Sequence, residues 1–211
     1  MGALPSNTKG ERTRLALIEA SLDLFFKENL GRVSFAMIGK KLGVTQAALY
    51  SYFAGKEELL LACCEHVATT SRLAIDPRAD SRFRAPKRLR NLIEGNFHWV
   101  RSSPRDASII LSSYYYGVQD KRFRAFFADN ERSAVDRIRE QILLGAHEGH
   151  WPLKGAGDKA KLIHSLIAGE MIKTLQGLEP QKLETHVNLV WKPILLLLTE
   201  GRSSRRATTP R

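Results

Sequence analysis

The chain has 211 residues, 43% hydrophobic and 26% charged, long enough to bury a core as one or two domains. Its 33 basic and 22 acidic residues leave a net charge of +11, which points to nucleic acid or an anionic membrane surface as partner. The apolar run Ile194 to Leu198 is too short to cross a bilayer. The only cysteines, Cys63 and Cys64, are adjacent, which excludes a CxxC motif and a disulfide framework and suits a reduced, cytoplasmic protein.

The charge excess is spread out. Residues 1–60 carry eight basic and six acidic side chains (+2), residues 61–150 fifteen and eleven (+4), and residues 151–211 ten and five (+5). Net charge alone therefore says little about DNA. Patterning says more. Apolar residues recur at helical spacing almost throughout, and no alternating strand pattern occurs, so the chain is expected to be all-α with about nine helices.

In chain order, Leu15, Ile18, Leu22 and Phe25 share one face of a first helix, with Gly31 as its stop. Ser34 is an N-cap for "FAMIGKKL", which Gly43 ends. A short third helix begins at Thr45, and a fourth runs from Lys56 to about Ile75. After the connector "DPRADSRFRAP" come a helix ending at Pro104, another from Arg105 to about Tyr116, and a long one from about Asp120. "HEGHWPLKGAGD" reads as a loop, with Asp158 capping the next helix, and "EPQKLETHVNLVWKPILLLL" closes the fold. "GRSSRRATTPR" reads as a disordered basic tail over 201–211.

The two short helices flanking Gly43-Val44-Thr45 form a helix-turn-helix, packed through Ile38, Leu42, Val44 and Leu49. Gly39 falls where the helices approach, and alanine there is expected to serve as well at about 1 kcal/mol less helix cost. The second helix of such a motif enters the major groove N-terminus first, which gives Thr45, Gln46 and Ala47 the base edges. Gln46 has the bidentate donor–acceptor pair that matches adenine. Lys56 stands at a helix start, where positive charge is unfavourable unless an anion is bound. A DNA phosphate over that start resolves the conflict, with Tyr50 and Tyr52 also reaching the backbone while Leu49 and Phe53 turn inward.

"SFAMIGKKLGVTQAALYSYFAGKEELL" resembles the DNA-binding signature of the tetracycline-repressor (TetR) family of transcriptional regulators, over roughly residues 10–65. The resemblance assigns phosphate contacts to Ser34, Tyr50, Tyr52 and Lys56, and base reading to Thr45, Gln46 and Ala47. The chain departs from the family at Gly39, where alanine is usual, and at Ser51, which is often aromatic. It implies a three-helix DNA-binding domain over 1–55 and a helical effector-binding and dimerisation domain over 56–200. A turn formed by Gly145, Gly149 and Trp151 also fits the family layout. The implied partners are a palindromic DNA operator, a small-molecule effector and a second copy of the chain, with no membrane and no cofactor.

His147 and His150 have H-E-x-H rather than H-E-x-x-H spacing, so no metal site is expected. "GAGDKA" satisfies G-x-G-x-x-A but lacks the strand a dinucleotide site needs. Three consecutive tyrosines, Tyr114 to Tyr116, point about 100° apart and cannot all face one core. Phe97, His98, Arg101, Tyr114, Tyr115 and Phe127 are the candidates for an effector pocket. The alternative from another class, a helical small-molecule-binding enzyme, requires a convergent titratable site, and the sequence offers none. The apolar stripes Leu162, Leu166 and Gly169, and Leu183, Val187, Val190, Ile194 and Leu198, are expected to form the dimer interface.

Overall fold

The computed structural model describes residues 8–76, 82–178 and 182–200, and the described residues form helices without a strand. The helices are α1 (Lys9–Glu28), α2 (Phe35–Leu42), α3 (Gln46–Tyr50), α4 (Lys56–Ile75), α5 (Ala85–Ser102), α6 (Pro104–Ser113), α7 (Tyr116–Gln119), α8 (Lys121–His147), α9 (Ala156–Leu175) and α10 (Leu183–Thr199). The all-α expectation holds. The tail expected over 201–211 lies outside the described residues.

Local signals set most helix ends. Thr8 and Glu11 close a reciprocal capping box at the start of α1, a T-x-x-E signal visible in the sequence but not read there. The stop expected at Gly31 falls earlier. Asn29 takes a positive φ of 68°, and its side-chain oxygen accepts the Gly31 N–H at 3.0 Å. Asparagine tolerates the left-handed region because its short amide bonds the chain just ahead. Asp158 likewise is not the cap of α9. Gly155, at φ 72°, occupies that position, so the helix starts earlier and places Asp158 in its first turn, still favourable to the helix dipole.

The chain divides into two compact units, one of Met1–Thr69 with Arg105–Arg124, the other of Thr70–Pro104 with Ala125–Arg211. In the first, Leu22, Phe25, Ile38, Leu49, Phe53, Leu59 and Leu60 are at most 2% exposed and form the core beneath α1 to α4. Cys63 and Cys64 are fully buried there. Burial raises the Cys63 thiol well above its ordinary range and pushes Cys64 up to about 12, leaving both protonated and unreactive. Arg105, at the start of α6, joins Glu19 (3.1 Å) and Asp23 (2.7 Å) of α1 to Asp106 (2.6 Å). The Arg105 hydrogen bond holds the Asp23 carboxyl below its usual range, against partial desolvation.

In the second unit α5, α9 and α10 pack together. Leu89, Ile93 and Phe97 of α5, Ala160 and Ile163 of α9 and Val187, Val190, Ile194 and Leu198 of α10 are buried in this unit, none more than 3% exposed. This corrects the expected dimer interface. Four of the five α10 residues assigned to it are buried within the chain. The helix is apolar on more than one face, so periodicity offered two stripes. Outward instead point Leu189 (60% exposed) and Leu196 (66%), with Pro193 between them, beside Leu162 (58%), Gly169 and Ile172 of α9. The expected turn at Gly145, Gly149 and Trp151 has a clear cause. The Trp151 indole lies where a Cβ on Gly145 would stand, 2.0 Å from it, and its N–H donates to the Ile142 carbonyl at 2.7 Å.

Candidate nucleic-acid interface

The site is built on α2, the turn after it, α3 and the start of α4. Ser34 caps α2, its hydroxyl oxygen accepting the Met37 N–H at 3.2 Å. Thr45 caps α3 in the same way, accepting from Ala48 at 3.1 Å. An accepting hydroxyl keeps its own proton to donate, and both residues are exposed, so each retains one donor. Gly43 ends α2 at φ 65°, the left-handed conformation the turn requires.

Gly39 differs from expectation. A Cβ there would stand 2.9 Å from the Val44 carbonyl oxygen, because the Val44 N–H bonds the Gly39 carbonyl at 3.0 Å and draws the turn onto the helix. Alanine cannot replace this glycine without moving backbone.

α3 is only five residues long, and the inward side chains on either side hold it. Leu49 and Phe53 are 0% and 1% exposed. Its opposite side presents Thr45, Gln46, Ala47 and Tyr50, all exposed. The Tyr50 ring rests 5.1 Å from the Phe35 ring at 46°, which fixes its direction while leaving it 53% exposed. Tyr52 is half-buried. Ser51 donates its hydroxyl to the Ala48 carbonyl at 2.7 Å, so its proton is already engaged.

Lys56 opens α4 as expected, and the carboxylates beside it do not cancel it. Glu58 accepts the Ala54 N–H at 2.7 Å, closing the loop that leads into the helix. The charge of Glu57 raises the Tyr116 hydroxyl, after burial, and both glutamates act on Arg122, so they face α7 and the start of α8. Among the described residues Lys56 has no carboxylate within salt-bridge distance, and the free N–H groups of the α4 start lie beside it.

The effector candidates are divided between the units. Phe97 is buried, its ring stacked on His186 at 4.2 Å, and Arg101 reaches His186 Nδ1 at 3.5 Å. His186 and Glu170 face each other at 3.4 Å. Sequence reading missed both, because a histidine and a glutamate on otherwise apolar faces carry no spacing signal. His98 is exposed on the outer side of α5, and Phe127 is buried on α8. Tyr114 and Tyr115, in the first unit, are 44% and 65% exposed. That unit has a cavity of about 580 Å³ between the end of α1 and α6, lined by Phe25, Phe26, Lys27, Arg32, Ser108 and Ile109 among others.

Residues 17–63 match the family described as bacterial regulatory proteins, tetR family. Across 183 residues, 82% of this chain and 86% of the relative, the sequence is 26% identical to the HTH-type transcriptional regulator BetI of Vibrio parahaemolyticus. The fold is similar to that of a putative transcriptional regulator from Pseudomonas aeruginosa PAO1, with a TM-score of 0.77, 17% identity and coverage of 88% and 91% of the two chains. It is equally similar to a putative transcriptional regulator from Saccharomonospora viridis in complex with choline, with a TM-score of 0.77, 18% identity and coverage of 87% and 95%.

Proposed function

We propose that the chain is a DNA-binding transcriptional regulator of the tetR family of bacterial regulatory proteins, and that it acts as a ligand-responsive repressor, a homodimer on a palindromic operator. Regulators of this family are not enzymes, so the enzymatic alternative falls away. The observation that carries the reading is the two-sided α3, with Leu49 and Phe53 locked inside while Gln46, Ala47 and Tyr50 stand exposed at its start. In this reading Gln46 pairs with a base edge, Thr45 and Ala47 flank it, and Ser34, Tyr50, Tyr52 and Lys56 grip phosphates. The division of labour is residues 1–55 for DNA and 56–200 for effector and partner.

The second copy docks on the outward face of α9 and α10, through Leu162, Gly169, Ile172, Leu189 and Leu196. A row of large exposed apolar side chains on two adjacent helices favours such a partner, and Gly169 permits close approach. The two recognition helices then enter major grooves about 34 Å apart or a multiple of it. An effector bound in the helical body shifts the balance between DNA-competent and released arrangements, by no more than its differential affinity for the two.

Salt titrations on operator and random duplexes test the assignment. Gln46→Ala should lower operator affinity by about 1–3 kcal/mol with little change in salt slope. Lys56→Ala should weaken binding to every duplex and reduce the slope by about one unit per half-site. Unchanged binding and slope in Lys56→Ala would remove the phosphate role.

A further inference from the structure

The outward side of α3 carries no charge. Thr45, Gln46, Ala47, Ala48 and Tyr50 are exposed, and none is ionised near pH 7. At about 100° per residue Ala47 points roughly 160° away from the buried Leu49, so its methyl group faces farthest outward. Gln46 and Tyr50 stand one turn apart on the adjoining row. The Gln46 amide makes no hydrogen bond among the described residues, and the Tyr50 ring is held against Phe35 at 5.1 Å. The first turn of α2 adds Ala36 and Met37, both exposed and uncharged.

The cations of the motif lie elsewhere. Lys40 and Lys41 are in the last turn of α2, and Lys56 opens α4. The first helix of such a motif crosses the phosphate backbone, which suits these lysines to phosphates and leaves the bases to α3. Each base edge in the major groove demands its own partner. Guanine offers two acceptors and is matched by an arginine or a lysine, and α3 has neither. Cytosine offers a donor and is matched by a carboxylate, which α3 also lacks. Adenine offers an acceptor beside a donor, and these pair with the NH2 and the carbonyl of Gln46. On guanine the same carbonyl would face a second acceptor. Thymine presents a methyl group, and its apolar partner is the Ala47 methyl.

We propose that each operator half-site is read through A·T pairs. Gln46 takes the major-groove edge of an adenine, Ala47 takes the methyl group of a neighbouring thymine, and no guanine edge is contacted in the major groove. The inference rests on the DNA-binding reading above and adds to it which bases the operator must present.

Duplexes enriched by the full chain from a random pool supply the test, because single atoms of their bases can be changed without altering the protein. Replacing one thymine at a time by deoxyuridine removes only the methyl group. At one thymine in each half-site this should lower affinity about fourfold. The loss should disappear in Ala47→Ser, which should bind both duplexes alike. Replacing the neighbouring adenine by 7-deazaadenine removes its N7 acceptor and should cost about two- to tenfold, with no further cost in Gln46→Ala. Deazaguanine, which lacks the same acceptor, should leave affinity unchanged at every guanine. A loss with deazaguanine, no loss with deoxyuridine at any thymine, or a deoxyuridine loss that persists in Ala47→Ser overturns the proposal and leaves the regulator reading standing. A pool in which no duplex is enriched refutes sequence-specific binding itself, and the proposal with it.

Discussion

In α2 and α3 each residue's surroundings are set within about a turn of chain. Ser34 caps Met37, Thr45 caps Ala48, Gly43 turns the backbone, and Leu49 and Phe53 are buried while the residues between them are not. In α9 and α10 they are set by helices far away in sequence. Val187, Val190, Ile194 and Leu198 are inside because α5 and α9 cover them, and Leu189 and Leu196 are outside although they are as apolar. Capping and turn chemistry are local interactions and legible one residue at a time. The choice between two apolar faces is a tertiary interaction, and periodicity alone leaves it open.

The largest test of that contrast is in α10. Leu189→Glu combined with Leu196→Glu should convert the proposed dimer to monomers with native helix content, because both side chains already face outward. Ile194→Ala, two residues from Leu196, should do the opposite. It should stay dimeric and lose roughly 2–5 kcal/mol of stability, as a buried isoleucine leaves a cavity. Sedimentation and urea unfolding read the two outcomes. A double glutamate variant that remains dimeric would move the interface off this face.

Next in size is Gly145→Ala. Its new Cβ would occupy the Trp151 indole, so the ring must leave together with its bond to the Ile142 carbonyl. A loss of about 3 kcal/mol in urea unfolding, with a red-shifted tryptophan emission, is the expected result. Gly39→Ala is smaller and tests a sign. Helix propensity alone predicts a gain of about 1 kcal/mol, whereas overlap with the Val44 carbonyl predicts a cost of roughly 1–3. We expect a net loss of about 1–2 kcal/mol and weaker operator binding, since the displaced turn carries Thr45. A stabilised variant would show that the turn yields freely.

These glycines also show where legibility stopped. The sequence placed Gly39 at the helix crossing, but a carbonyl drawn in by the Val44 N–H is a distance, and sequence spacing carries no distances. The helix-turn-helix, its caps and its outward residues were legible, because the T-Q-A-A-L-Y-S-Y-F run fixes inside and outside by itself. Asn29 was missed because glycine two residues on is the stronger left-handed signal. The effector candidates were chosen by aromatic content, which singled out Tyr114 and Tyr115, both now exposed.

The smallest effect concerns Thr45, where stability and recognition meet in one hydroxyl. α3 is too short to hold itself as a helix, so its first turn depends on the cap and on Leu49. Thr45→Ala removes the acceptor for the Ala48 N–H and should cost about 0.5–1 kcal/mol. Thr45→Ser keeps that oxygen and should recover most of the loss. The same hydroxyl proton is free to meet a base edge, so the alanine variant should also lose affinity on the operator, and the serine variant should not. Amide exchange separates the two roles. Faster exchange at Ala48 in the alanine variant, with the rest of the unit protected as before, assigns the stability loss to the cap. If Ala48 exchanges at the parent rate in Thr45→Ala, the cap is not what orders the start of α3, and Leu49 alone must hold it.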